Sequence, residues 1–349
     1  MTKRLPFTLI CAFLLPVLAA AQIRCTVPPA RPLPLCADTF RVHIIGDVMM
    51  HSRQLEYDCS SFLEDLKDDM GGADLSVANM EFTLAGEPYS GYPSFSAPDS
   101  YPEYVAGLGA DVFLLANNHI LDKGPSGLDR TLERYEMLRD SLGTHFTGIG
   151  GAPLLVHRKG YSIAFINFTY GTNARRDRRV NYLDSTAVES AFRNARELGA
   201  DFIVALPHWG DEYELRHNRS QENWARKFVE LGADAVVGCH PHVVQDTTHI
   251  GGVPVIYSVG NAVSNMSAPN TRLELAVTLT FVCENGVKRQ LEPELEFLWC
   301  TLPGTLTPGY ATIKIKKWAS RKDDWLIERD YFEMVTTLER VLGATGINY

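Results

Sequence analysis

Apolar residues recur along this chain in a repeated order. Four times a stretch with helical spacing closes on a glycine and an aspartate and gives way to a short apolar run. "GGAD" (Gly71–Asp74) precedes "LSVANM", and "LGAD" at Leu108–Asp111, Leu198–Asp201 and Leu231–Asp234 precedes "VFLLAN", "FIVALP" and "AVVGCH". Glycine supplies the left-handed residue that ends a helix, and a β-branched run after it reads as a buried strand. The unit is helix, glycine stop, strand. Its uneven spacing rules out a tandem repeat and indicates a layered α/β sheet with strands roughly in parallel. "RVHIIGDV" is a further strand before the first unit, ending in Gly46-Asp47. "LLVHRKGYSIAFINFTYG" alternates and turns at Lys159-Gly160 as a hairpin. "VPVIYSVGN" is another strand. From about Leu273 the pattern is β-rich ("LELAVTLTFVCENGVKRQ", turning at Glu284-Asn285-Gly286), and an amphipathic helix spans roughly Tyr331 to Leu342.

The first residues break this pattern. "MTKRLPFTLICAFLLPVLAAAQ" has a basic start (Lys3, Arg4), an apolar run and Ala19-Ala20-Ala21. Residues 1–21 read as a secretory signal cleaved before Gln22, and the run is short for a membrane span. The expectation is an exported protein, periplasmic or extracellular, with no transmembrane segment after signal removal. Residues 22–40, with several prolines, read as an extended arm, and 41–349 as the folded domain. Composition is globular, 45% hydrophobic and 21% charged, and the net charge of −9 argues against a nucleic-acid partner. Export permits disulfides among Cys25, Cys36, Cys59, Cys239, Cys283 and Cys300. Cys25 with Cys36 and Cys283 with Cys300 are nearest along the chain, although spacing does not fix connectivity. Cys239 suits a small buried filler.

Polar residues gather where the apolar strands stop. The first strand ends in Asp47, the next at Asn79 and Glu81, the third at Asn117, Asn118, His119 and Asp122. The later two end at His208, Asp211 and Glu212, and at His240 and His242 around Pro241. Singly, each suits a turn, a cap or a half-buried histidine. Five strands delivering such residues to one sheet edge, where loops converge, form a ligand pattern. Carboxylates with neutral imidazoles bind Mn, Fe or Zn, and a bridging carboxylate holds two ions roughly 3.5–4 Å apart. Such a pair supplies a hydroxide nucleophile and clamps phosphoryl oxygens, and an uncoordinated histidine protonates the leaving oxygen. "TNARRDRRVNY" adds Arg175, Arg176, Arg178 and Arg179, which suit carboxylate or phosphate or a solvated loop. Tyr170, Trp209 and Tyr213 either line a pocket or pack.

The stretches "GDVM", "NMEFTL", "ANNHILDKG", "HWGDEY", "GCHPHVVQ" and "YSVGN", in that order from Val42 to Asn265, resemble the motifs of CapA-type poly-γ-glutamate capsule synthesis proteins. "FTYGTN" (Phe168 to Asn173) is similar to a further segment of that family, which belongs to the calcineurin-like metallophosphoesterase superfamily. The resemblance implies a four-layer αββα metallophosphoesterase-like sandwich, here with a β-rich C-terminal extension, and two divalent metal ions. By motif, Asp47 binds the first metal, Glu81 bridges, Asn118 and His208 bind the second, and His240 and His242 each contact a metal. His119 is the catalytic residue, as leaving-group acid or transition-state stabiliser. Arg175, Arg176, Arg178 and Glu212 are the candidate substrate contacts. The chain departs from the superfamily's Asp-x-His motif, reading Asp47-Val48-Met49 with His51 nearby, and carries Glu81 where many members have Asp. The expected function is hydrolysis of an anionic envelope polymer or phosphoester through a metal-bound hydroxide. The alternatives are a non-catalytic factor binding poly-γ-glutamate or capsule polymer during envelope assembly, and hydrolysis or transfer of γ-linked glutamate amides.

Overall fold

A computed structural model describes residues 39–349. The expected signal segment, the arm up to residue 38, Cys25 and Cys36 lie outside the described residues. Thr39 and Phe40, placed in the arm by sequence, already belong to the first strand.

The chain builds half of one sheet, then a second sheet, then returns to finish the first. β1 (Thr39–Val48), β2 (Leu75–Met80), β3 (Val112–Leu114) and β4 (His145–Thr147) run parallel. β5 (Leu154–Arg158), β6 (Tyr161–Thr169), β7 (Phe202–His208), β8 (Ala235–Val237), β9 (Thr247–Ile250) and β10 (Val253–Ile256) form the second sheet, in the order β5-β6-β7-β8-β10-β9. β11 (Leu273–Glu284), β12 (Val287–Gln290), β13 (Glu294–Thr301) and β14 (Ala311–Lys314) then complete an eight-stranded first sheet, β14-β13-β11-β1-β2-β3-β4, with β12 on β11. The expected parallel pairing holds for β1 to β4 and for β6, β7, β8 and β10. The edge strands β5 and β9 and all of β11–β14 pair antiparallel. The β-rich C-terminal segment is therefore half of the first sheet, with β11 directly beside β1.

The helices are α1 (Lys67–Gly72), α2 (Ser100–Gly107), α3 (Gly124–Leu142), α4 (Ser185–Glu197), α5 (Arg219–Glu230), α6 (Ile315–Trp318) and α7 (Glu328–Thr345). Three apolar cores separate the layers. Between the sheets, Val42, Ile44, Val77 and Leu275 meet Ile163, Phe165, Val204 and Val237. Outside the first sheet, Ala78, Met80 and Phe113 pack with Tyr101 and Val105 of α2 and Leu128 and Tyr135 of α3. Outside the second, Ala164, Ile203 and Val236 pack with Val188 and Phe192 of α4 and Phe228 of α5. This is the expected αββα order. Met334 and Val341 of α7, which runs beyond the predicted Tyr331–Leu342, join Phe297 and Trp299 of β13.

The glycine stops behave as expected in three of the four units: Gly109, Gly199 and Gly232 have φ of +117°, +82° and +89°. In the first unit α1 runs through Gly71 and Gly72 and stops at an extended Ala73. Cys283 and Cys300 are free thiols. The antiparallel register sets Leu273 opposite Trp299 and Cys283 opposite Lys288, so the two cysteines sit toward opposite ends of β11. Cys239 is buried in the inter-sheet core. Among the described residues no helix is long and apolar enough to cross a membrane.

Candidate metal centre

One extra residue in β1 aims the first carboxylate. Phe40, Val42 and Ile44 face the inter-sheet core, and Ile45 faces the outer one. Strict alternation would send residue 47 outward with Ile45. The pairing with β2 instead slips at Gly46, from Ile45 opposite Ala78 to Asp47 opposite Asn79, as a β-bulge does. Asp47 thereby sits beside Asn79, whose amide donates to Asp47 Oδ1 at 2.6 Å, and Val48 rejoins the outer core. A Cβ on residue 46 would lie 2.0 Å from the carbonyl oxygen of Gly260, which accepts the Asp47 N–H at 3.0 Å. The Gly46 N–H donates to Glu274 Oε1 on β11 at 2.7 Å.

The other strand ends converge on Asp47. Glu81 follows β2, its N–H donating to the Val48 carbonyl at 3.1 Å. His208 closes β7, with Nε2 2.8 Å from Asn118 Oδ1 and 3.7 Å from Glu81 Oε1. His242 Nδ1 lies 3.6 Å from Asp47 Oδ2 and 2.9 Å from Asn261 Oδ1, while the His240 N–H donates to Asp47 Oδ2 at 3.2 Å. His240 and His242 have φ of +101° and +58°. Such angles are rare outside glycine and persist where the surroundings enforce them, often at functional sites. His119 Nδ1 pairs with Asp122 Oδ2 at 2.7 Å, and its Nε2 lies 3.9 Å from Glu81 Oε1. Tyr170 and Tyr213 flank the centre against His240 and His242, with ring centroids 4.5 and 6.1 Å apart. Trp209 packs in the outer core of the second sheet and donates to the Tyr257 carbonyl.

Three sets of side chains each bring donor atoms within 4.8 Å of one another: Glu81, His208 and His240; Asp47, Glu81 and His242; Glu212, His240 and His242. Glu81 is common to the first two. It is fully buried, and neither carboxylate oxygen has a hydrogen-bond partner. Burial, then the charges of Asp47 and Glu212, push its pKa well above the carboxylate range. Burial lowers His208 to about 3. Burial, then His208 and His242, hold His240 well below the usual imidazole value, and its Nδ1 is unpartnered. Burial raises Asp47, but its His242 hydrogen bond and the neighbouring imidazoles more than offset this and leave it lowered. Burial likewise opposes protonation of His242, and Asp47 outweighs it. The neutral imidazoles of His208 and His240 offer lone pairs, and unpartnered buried carboxylate oxygens call for positive charge. The donor set fits divalent cations.

The structure thus brings Asp47, Glu81, Asn118, His208, His240, His242 and His119 together. Glu212 is exposed at the rim. Arg175, Arg176 and Arg178 are exposed on the loop after β6, and none bonds to the centre. Arg176 lies over the Tyr182 ring, and Arg179 pairs with Asp177 and Asp129. The side chain of Met49 belongs to the outer core. His51 is held by Gln54 and by the Asn265 N–H. Sequence reasoning gave no role to Asn79 or Asp122, although both were noted at strand ends. It also gave none to Asn261 or to Asn173, whose amide lies 3.3 Å from His119 Nδ1. Their signal was present in "YSVGN" and "FTYGTN".

The fold and site define a two-sheet α/β sandwich protein with a buried carboxylate–imidazole centre at its strand ends. Residues 41–266 match the family described as bacterial capsule synthesis protein PGA_cap, and the chain belongs to that family. It is 25% identical over 265 residues to the capsule biosynthesis protein CapA of Bacillus anthracis, covering 70% of this chain and 64% of that one. It is 29% identical over 181 residues to the PGA biosynthesis protein CapA of Bacillus subtilis (strain 168), covering 50% and 47%. The matched region thus spans less than two thirds of either relative. Among solved structures, the calcineurin-like phosphoesterase YfkN from Bacillus subtilis aligns with a TM-score of 0.47 at 12% identity, covering 87% of this chain and 98% of that one. A hypothetical protein from Thermus thermophilus aligns at 0.44 and 18% identity, covering 73% and 98%.

Proposed function

We propose that this chain is an exported, metal-dependent hydrolase acting on a phosphoester or an anionic envelope polymer. The observation that carries the reading is Glu81, whose two unpartnered, buried oxygens lie between two sets of metal-capable donors. Asp47, Glu81 and His242 would hold one ion, and Glu81, Asn118, His208 and His240 a second. Mn, Fe or Zn bound there would supply Lewis acidity and acidify a water toward neutral pH. His119, fixed through Nδ1 by Asp122, would present Nε2 to protonate the leaving oxygen. Asn173 donates its N–H to the Asn118 carbonyl at 2.8 Å and so anchors beside the centre the loop that carries Arg175, Arg176 and Arg178. Those arginines would hold the anionic substrate. The names of the relatives support a capsule polymer as its class, and the first 21 residues support export.

The test is to strip the protein of metal, reload it with Mn, Fe or Zn, and assay phosphate mono- and diesters and a γ-linked glutamate polymer. Turnover should require metal and vanish in His240→Ala. A wild-type chain that takes up no metal would overturn the reading. Polymer binding without turnover, controlled by the three arginines, would replace it with the non-catalytic one.

A further inference from the structure

Within the proposed dinuclear centre one position is short of a donor. The buried set offers Asp47, Glu81 and His242 to one ion. The nearby residue at position 49, where the superfamily motif carries a histidine, is a methionine packed in the outer core. Its carbonyl accepts from the Gln54 amide and the Tyr101 hydroxyl, so the segment is held with that side chain turned away. His51 uses Nδ1 toward Gln54 and the Asn265 N–H and belongs to none of the three donor sets.

Glu212 shares His242 with the set of Asp47 and Glu81, and His240 with the set of Glu81 and His208. One of its carboxylate oxygens and one nitrogen each of His240 and His242 fall within 4.8 Å of one another. Glu212 is exposed, but both of its chain neighbours are anchored. Asp211 Oδ2 accepts from Asn218 Nδ2 at 2.8 Å, and Asn218 is the capping residue of α5. The Tyr213 N–H donates to the Pro241 carbonyl at 2.8 Å, in the turn that holds both histidines, with Tyr213 at φ +70°. A free surface carboxylate would need no such clamp. A carboxylate at the mouth would also repel the anionic substrate it was expected to bind. Coordinated, its charge is absorbed by the ions. Three carboxylates with neutral imidazoles then still leave two divalent ions a surplus of positive charge to meet an anion.

We infer that Glu212 is a ligand of the metal centre, closing it on the solvent side beside His240 and His242 in a centre that has no donor from position 49. The inference rests on the proposed metal centre, and the test separates the two. Metal-stripped full-length protein is titrated calorimetrically with Mn2+ in the absence of substrate, and the loaded protein is examined by electron paramagnetic resonance. Wild type should bind two ions and show a coupled Mn pair. Glu212→Gln, at an exposed position, should keep the metal-free melting temperature, bind one ion at least tenfold more weakly and lose the coupled signal. Glu81→Gln should lose both ions. Two sites within twofold of the wild-type affinities in Glu212→Gln would overturn this inference alone. A wild type that takes up no Mn2+ would overturn the proposed function with it.

Discussion

Glu274 gives the most direct physical test of how Asp47 is held. It lies on β11, fully buried, with Oε1 accepting the Gly46 N–H and Oε2 without a partner. Burial, only partly countered by that hydrogen bond, lifts its pKa from 4.5 to about 8. Below pH 4.5 the folded and unfolded chains both carry the proton, and the group adds no pH dependence. Between pH 4.5 and 8 the unfolded chain releases it while the folded chain keeps it. Stability therefore falls as pH rises, by about 1.4 kcal/mol per pH unit. Above about pH 8 both forms are ionised and the loss levels off at roughly 5 kcal/mol. Glu274→Gln retains an acceptor for Gly46 and cannot ionise. The difference in unfolding free energy between variant and wild type cancels the other titrating groups. Measured by urea denaturation of metal-free protein at pH 4, 6 and 9, it should be near zero at pH 4 and favour the variant by several kcal/mol at pH 9. Parallel curves, or a wild type that gains on the variant as pH rises, would refute the reasoning.

Gly46→Ala sets a Cβ against the Gly260 carbonyl. It should cost about 2–4 kcal/mol in denaturant unfolding and weaken Mn2+ uptake, because the bulge that aims Asp47 must open. Arg272, immediately before β11, is buried and paired in two-pronged fashion with Asp330 of α7 at 2.6 and 2.8 Å. Arg272→Ala leaves Asp330 uncompensated and should cost about 3–5 kcal/mol, much of it recovered in the double variant Arg272→Met/Asp330→Leu. His240→Gly and His240→Ala both lose a buried imidazole, but only glycine accepts φ +101° without strain; in metal-free protein the glycine variant should be the more stable of the two by about 1 kcal/mol, and both should lack turnover. The reverse order of melting temperatures would mean that the turn is not strained.

The apolar runs of β2, β3, β7 and β8 were legible because each is continuous and follows a glycine stop. Their division between two sheets was not, since a run buried on both faces carries no mark of which sheet it joins. The chain changes sheets at β5, the hairpin strand, which read as local. Asp47 was legible as a strand-end carboxylate, but its direction depends on a bulge set by the Gly260 carbonyl, distant in sequence. Glu274 sits in the alternating run "LELAVTLTF" as an ordinary polar position, and only burial from both sides makes it unusual. The bridging place proposed for Glu81 came from the family motif. Its two unpartnered oxygens are a three-dimensional fact.

The stretch shared with the family stops at residue 266, yet β1 takes its antiparallel neighbour, and the acceptor behind its bulge, from Leu273–Glu284. Cutting at the homology boundary would leave the strand that bears Asp47 with a bare edge. The smallest piece able to hold the centre in shape therefore reaches past the stretch that the family model matches, and any excised fragment should retain everything from β11 onward.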